Sequence, residues 1–234
     1  MKGQFTFLKM SLVGLFLIAA VGVSAQVTPE TPSVTFLCNG ATVQLTAPAG
    51  YDNYQWYFDE NGSATPAAAP GASEDQIYTA TETGYYYVEV WNNSDGCKSP
   101  MSEGYPIYIL PDLSVSIAAD GGDAGYCVDE ATTGITLIAT LNSPNSLPDG
   151  LNVTHQWFVA DDASGTNRRE VVGATESTHQ VTNPDAGSYF YEVVVSYDVT
   201  VVGSPNACAA TSNVQQVTVS PLPPQPTITI VSTP

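Results

Sequence analysis

The chain has 234 residues, 43 % of them hydrophobic and 10 % aromatic, which is enough apolar material to build cores. Its 5 basic residues stand against 23 acidic ones, a net charge of -18, so it repels nucleic acid and anionic lipid and neither is expected as a partner. Lys and Arg are scarce while Thr, Val, Ser, Gly, Pro and Tyr abound, a mix that suits short strands and turns rather than helices.

In chain order, residues 1–25 read as a cleavable secretory signal. Lys2 and Lys9 form a basic start, Leu12–Val23 a short apolar run, and Val23-Ser24-Ala25 a small-residue cleavage site. The run is too short for a membrane span of ~20 residues, so no membrane insertion is expected. The mature chain then begins near Gln26 and belongs outside the cell or on its surface.

Next comes Cys38, followed by Val43 and Leu45 in strand-like alternation. Tyr54-Gln55-Trp56 reads as a strand with Trp56 pointing inward, and a polar loop spans residues 59–72. Tyr85-Tyr86-Tyr87-Val88-Glu89-Val90 is a further strand, on which Tyr86, Val88 and Val90 face inward. Cys97 lies in a polar turn, and Tyr105–Leu110 closes this half. The second half repeats the order: Cys127, then Ile135 and Leu137, then Gln156-Trp157, a loop over residues 161–173, Tyr189, Tyr191 and Val193 on one face of a strand, Cys208 in a turn, and a last strand over Val214–Val219. Landmarks recurring in one order predict tandem modules.

Asp185-Ala-Gly-Ser-Tyr189 and Thr83-Gly-Tyr-Tyr86 have the form of the tyrosine corner, a Tyr at the start of a strand that bonds back to the chain just upstream in immunoglobulin-type sandwiches. The fold is therefore expected to be all-β, with two immunoglobulin-like antiparallel β-sandwiches, 26–110 and 111–221. Trp56, Tyr86, Trp157 and Tyr189 are their expected core residues. Leu110-Pro-Asp-Leu113 should be a semi-rigid joint. Residues 222–234 read as a linker or the first strand of a third module, since prolines followed by alternating β-branched residues also open the two sandwiches, at Pro29–Phe36 and Pro111–Ile117.

Together these landmarks resemble the immunoglobulin-like repeats of large secreted and surface proteins of gliding and gut-dwelling bacteria. The shared pattern is Cys, an alternating strand, a Gln-Trp-like strand, Gly-x-Tyr-x-Val-x-Val and a Gly-Cys turn, the last clear at Asp95-Gly-Cys97. The resemblance covers roughly residues 30–220. It implies stalks and adhesive regions of surface proteins, with more modules of the same polypeptide as neighbours.

Cys38, Cys97, Cys127 and Cys208 in an exported chain predict disulfides. The repeat suggests Cys38–Cys97 and Cys127–Cys208. Strand direction favours a bridge between the two sandwiches, Cys38–Cys208, because Cys38 precedes one strand and Cys97 follows a parallel one, at opposite ends of the same sandwich. Seven strand residues span ~23 Å, and a bridge needs Cα atoms within ~7 Å.

No nucleophile elbow, zinc motif or phosphate loop is present, and no enzyme, metal or cofactor is expected. His155 and His179 fall on strands as structural residues. The acidic pairs 59–60 and 161–162 and Arg168-Arg169 read as solvated loop residues, and Asp120–Gly125 as a Gly-rich turn rather than a calcium site. Binding has the better case. With Trp56 and Tyr86 inward, Tyr57, Tyr85, Tyr87 and Trp91 share the outer face of the first sandwich, and Phe158, Phe190 and Val194 that of the second. Exposed aromatics on a sheet suit glycan or protein contact; the bland alternative is cross-strand pairing that steadies the sheet. The expected function is a non-enzymatic, extracellular structural or adhesive module meeting protein or glycan at a cell surface. The alternative is a carbohydrate-binding accessory module, attached to a secreted hydrolase, that uses this aromatic face.

Overall fold

A computed structural model describes residues 26–63, 65–71, 73–94, 96–202 and 208–228. The expected signal segment, 1–25, lies outside the described residues, as do 229–234. Alternation of inward apolar and outward polar residues makes strands along nearly the whole chain, and the described residues hold no α-helix.

The first sandwich is built from β1 (Thr35–Cys38), β2 (Val43–Thr46), β3 (Asn53–Asp59), β4 (Ala67–Ala68), β5 (Ile77–Ala80), β6 (Gly84–Trp91) and β7 (Tyr105–Leu110). One sheet runs β1-β7-β6-β3-β4, and β2 with β5 forms the other. The second is built from β8 (Ser114–Ala119), β9 (Gly125–Cys127), β10 (Ile135–Ser143), β11 (Val153–Ala160), β12 (Arg169–Glu170), β13 (Thr178–Val181), β14 (Gly187–Tyr197), β15 (Ala210–Thr211) and β16 (Gln215–Ser220). Its sheets run β12-β11-β14-β16-β9 and β13-β10-β8. Two facing sheets, mainly antiparallel, with one parallel edge strand in each sandwich (β1 on β7, β9 on β16), make an immunoglobulin-like architecture.

Register makes the two halves comparable residue by residue. Trp56 opposes Val88 as Trp157 opposes Val193. Each tryptophan is buried, and each indole N–H donates to a carbonyl on the facing side, Asp75 and Glu176 respectively, at 2.8 Å. Ser102 and Ser212 also correspond: each takes the N–H of the strand residue opposite its tryptophan at 3.0 Å and returns its own N–H to that residue's carbonyl. Each sandwich has its own core, around Trp56, Tyr78, Tyr86 and Ile107 in the first, and around Leu137, Trp157, Val193 and Val217 in the second.

The same register shows that the two corner tyrosines do not occupy equivalent positions. Tyr86 opposes Phe58, two residues along from the tryptophan, and its counterpart in the second sandwich is Tyr191, which opposes Val159. Tyr191 is 4 % exposed, whereas Tyr189 is half-buried at the rim of the core. Tyr86 combines both jobs: it is 2 % exposed and its hydroxyl donates to the Glu82 carbonyl at 2.9 Å and accepts the Glu82 N–H at 3.1 Å. In the second sandwich the jobs are split. Tyr189 makes the backward bond, to the Asp185 carbonyl at 3.0 Å, while Tyr191 fills the core and takes a bond from Asn183.

Other details refine the expected elements. The loops over 59–72 and 161–173 each contain a two-residue edge strand, β4 and β12. The last strand of the second sandwich is β16, Gln215–Ser220, one residue later than expected. Beyond it, Pro221–Ile228 is exposed and joins no sheet. Asp120–Gly125 includes a turn in which Gly121 and Gly122 take φ of 78° and 87°, angles that favour glycine.

Candidate functional site

Two places carry polar and aromatic groups in unusual density: the joint between the sandwiches and the outer aromatic face of the first.

At the joint, β7 passes into β8 through Pro111-Asp112-Leu113. Cys38 ends β1, and Cys208 lies between β14 and β15 of the second sandwich. They form a disulfide with Cα atoms 5.3 Å apart, 170 residues distant in sequence. Around it Leu110, Leu151, Tyr197 and Val201 are buried as a third apolar cluster, with Phe36, Tyr108 and Leu113 packed against them. The backbone crosses too: Phe36 pairs with Val201 as a parallel bridge, and the Val202 N–H donates to the Phe36 carbonyl at 3.1 Å. The Tyr197 hydroxyl donates to the Pro111 carbonyl at 2.9 Å. Burial, with Tyr108 and Asp112 adding to it, pushes that phenol up to about 12, so it keeps its proton and its bond through physiological pH. Asn39 donates to Asp112 at 2.9 Å on the rim. Cys97 is exposed and Cys127 half-buried; neither belongs to this bridge.

On the outer face, pleating brings Tyr85, Tyr87, Glu89 and Trp91 of β6 to one side, opposite Asp59, Tyr57, Gln55 and Asn53 of β3. Tyr57, Tyr85, Tyr87 and Trp91 do share the strip, but all four are half-buried. Tyr57 donates to Glu89 at 2.7 Å. Lys98 reaches Glu89 at 3.2 Å and lies 4.6 Å over the Trp91 ring. The hydrogen bond from Tyr57 holds the Glu89 carboxyl below its ordinary range against a smaller opposing effect of burial, with Lys98 assisting. Gly104 lies so close to the Tyr87 ring that a Cβ there would come within 2.8 Å of it. Tyr57, Glu89 and Lys98 thus satisfy one another, and Lys98 takes part of the Trp91 ring face. Asp59, buried on β3 rather than solvated in a loop, keeps Oδ2 without a hydrogen-bond partner among the described residues.

The second sandwich treats the same face differently. Arg168 lies 4.7 Å over the Phe158 ring and bonds Glu192 at 2.7 Å, a carboxylate whose side chain is 7 % exposed. Arg168 is therefore an exposed loop residue, as its sequence suggested, that also covers a ring and pairs with a buried carboxylate. Arg169 is the more exposed of the two, and pairs with Asp161 at 3.1 Å. Phe158, Phe190 and Val194 are half-buried. His179 lies 5.5 Å from both the Trp157 and Tyr191 rings, and burial lowers its pKa. Burial also lowers that of His155, opposed by Glu176. Among the described residues no group of three or more His, Cys, Asp or Glu could hold a metal ion.

No family model matches the chain, and no curated protein matches it in sequence. Solved structures of similar outline include fibronectin(III)-like modules of Clostridium thermocellum CbhA, at 10 % identity over 82 % of this chain and 93 % of that one, with a TM-score of 0.38. An amphioxus IgVJ-C2 molecule has 14 % identity over 80 % and 99 %, with a TM-score of 0.32. A chicken TCR has 13 % identity over 80 % and 97 %, with a TM-score of 0.27. Such values carry nothing about activity; the fold stands on the strand pairing described above.

Proposed function

We propose that the chain is a non-enzymatic, extracellular structural module whose two sandwiches act as one stiff spacer in a surface or secreted protein. The observation behind this is the joint. A three-residue linker alone would let the sandwiches swing, and an ordinary interdomain contact leaves relative motion as the default. Here a covalent bridge, an apolar cluster and a backbone bridge act together at the same place. A disulfide persists in oxidising compartments, which agrees with export. The two sandwiches would hold an adhesive region, carried elsewhere in the protein, away from the cell, and the charge of -18 would keep them soluble.

The aromatic face supports stiffness more than capture. Glu89, Lys98 and Tyr57 satisfy one another, so a glycan would have to break bonds already made. A glycan array probed with the chain and with a Tyr57→Ala, Trp91→Ala variant tests this. Equal, background-level signals are expected from both. A glycan retained by the chain and lost by the variant would favour the carbohydrate-binding alternative.

A further inference from the structure

The second sandwich has two strands more than the first, β8 and the short β15, and β8 is the one that packs over the core. In the second, β8 lies along β10, pairing Ala119 with Leu137 and Ile117 with Ala139, and buries Val115 and Ile117 in the core. Asn213 holds it in place, accepting the Ile117 N–H at 2.9 Å and donating to the Ile117 carbonyl at 3.1 Å. In the first sandwich β2 pairs with β5 on one side, and among the described residues no strand lies on the other.

Corresponding residues show the consequence. Leu45 opposes Tyr78 as Leu137 opposes His179, and Val88 opposes Trp56 as Val193 opposes Trp157. Leu137 and Val193 are each 0 % exposed; Leu45 and Val88 are only half-buried. They line a groove of about 420 Å³ together with Trp56, Tyr86 and Tyr105, the last 47 % exposed. An apolar trough beside an unpaired strand edge can accept an added strand, the edge supplying main-chain bonds and the trough taking alternate side chains.

We propose that this groove receives a β-strand from a second copy of the chain, and that the donor is Thr227–Val231. β8 offers Val115 and Ile117 on either side of Ser116. Thr227-Ile-Thr-Ile-Val231 offers Ile228 and Ile230 on either side of Thr229, in the same alternation. Ile228 is 92 % exposed, so its own copy leaves it uncovered. The donor cannot reach the groove of its own chain. Ile109 and Val219 correspond, since Leu37 pairs with one and Tyr126 with the other, so β16 ends at the end of its sandwich remote from the joint. Residues 221–226 reach at most ~20 Å, while β14, with 11 residues, alone runs ~36 Å along the intervening sandwich. Pro48 removes a backbone N–H just past β2 and confines pairing to about the length of this donor. Donation sets copies head to tail, a heterologous contact that propagates. The proposal stands on the register of the first sandwich and not on the stiffness of the joint, so either can fail alone.

The test uses residues 26–234, the same chain ending at Pro223, and the full-length Ile228→Asp variant. Sedimentation velocity over a range of concentrations reads assembly, and denaturing electrophoresis shows that it is non-covalent. A synthetic peptide of residues 224–232 is titrated into the shortened chain. The chain should form concentration-dependent oligomers that both variants lose without a change in circular dichroism. The peptide should bind saturably and raise the melting temperature of the shortened chain, and its Ile228→Asp form should do neither. Oligomers that survive removal of the tail, or a peptide that leaves the shortened chain's melting temperature unchanged, would overturn the proposal.

Discussion

Cys38 and Cys208 tie the end of β1 in one sandwich to a loop of the other, with Cα atoms 5.3 Å apart at a sequence separation of 170. The bridge closes the longest loop the two sandwiches share. Its loss releases unfolded-chain entropy worth at most about 5 kcal/mol in the chain-entropy view. Because each sandwich has its own core, the loss should show chiefly as lost coupling. Cys208→Ser is expected to split one calorimetric unfolding transition into two. A single transition of unchanged midpoint would mean that the bridge couples nothing.

The tyrosines make a graded prediction. Tyr86→Phe leaves the Glu82 N–H and carbonyl short of a buried partner and should cost about 1–3 kcal/mol. Tyr189→Phe removes a single bond from a half-buried side chain and should cost about 1 kcal/mol or less. Chemical denaturation of the two variants checks the order.

Arg168 and Arg169 are neighbours with different expected weights. Arg168→Ala uncovers Phe158 and strands the buried Glu192 carboxylate, at a cost of about 2–3 kcal/mol. Arg169→Ala removes an exposed pair and should lie within about 0.5 kcal/mol of the parent. Equal costs would mean that Glu192 finds another partner.

His179 gives a pH dependence. Burial lowers its folded-state pKa below the unfolded value, so the neutral ring is favoured in the fold. Its contribution is fully present above the ordinary histidine pKa of about 6.5 and is lost as pH falls through that value toward the folded one. Tyr78 occupies the same place in the first sandwich. His179→Tyr should therefore flatten the fall in melting temperature between about pH 7 and pH 5, leaving the part due to His155, which is shifted the same way.

Much of the fold is legible in the sequence because its signals are local. Gln-Trp followed by alternating residues places Trp56 and Trp157 in two cores, and period-2 patterns give the faces of β6 and β14. The same period hides the two-residue offset between the corner tyrosines. Residues two apart share a face, so alternation cannot choose between Tyr189 and Tyr191; cross-strand register chooses. Pro29–Phe36 looks like an opening strand of the kind β8 provides. Instead Pro29 and Pro32 lie in turns, Ser33 takes a φ of 58°, and only Thr35–Cys38 pairs, in parallel with β7. The partner of Arg168 was not legible because the carboxylate it covers lies 24 residues further on, which no local pattern reports.

Small-angle X-ray scattering of the oxidised chain over residues 26–234, in dilute solution, asks most directly whether the two sandwiches move as one. One arrangement, matching the profile calculated from the structure and loosening in Cys208→Ser, is expected of a stiff spacer. A profile that needs a broad spread of inter-sandwich angles in the oxidised chain would contradict it.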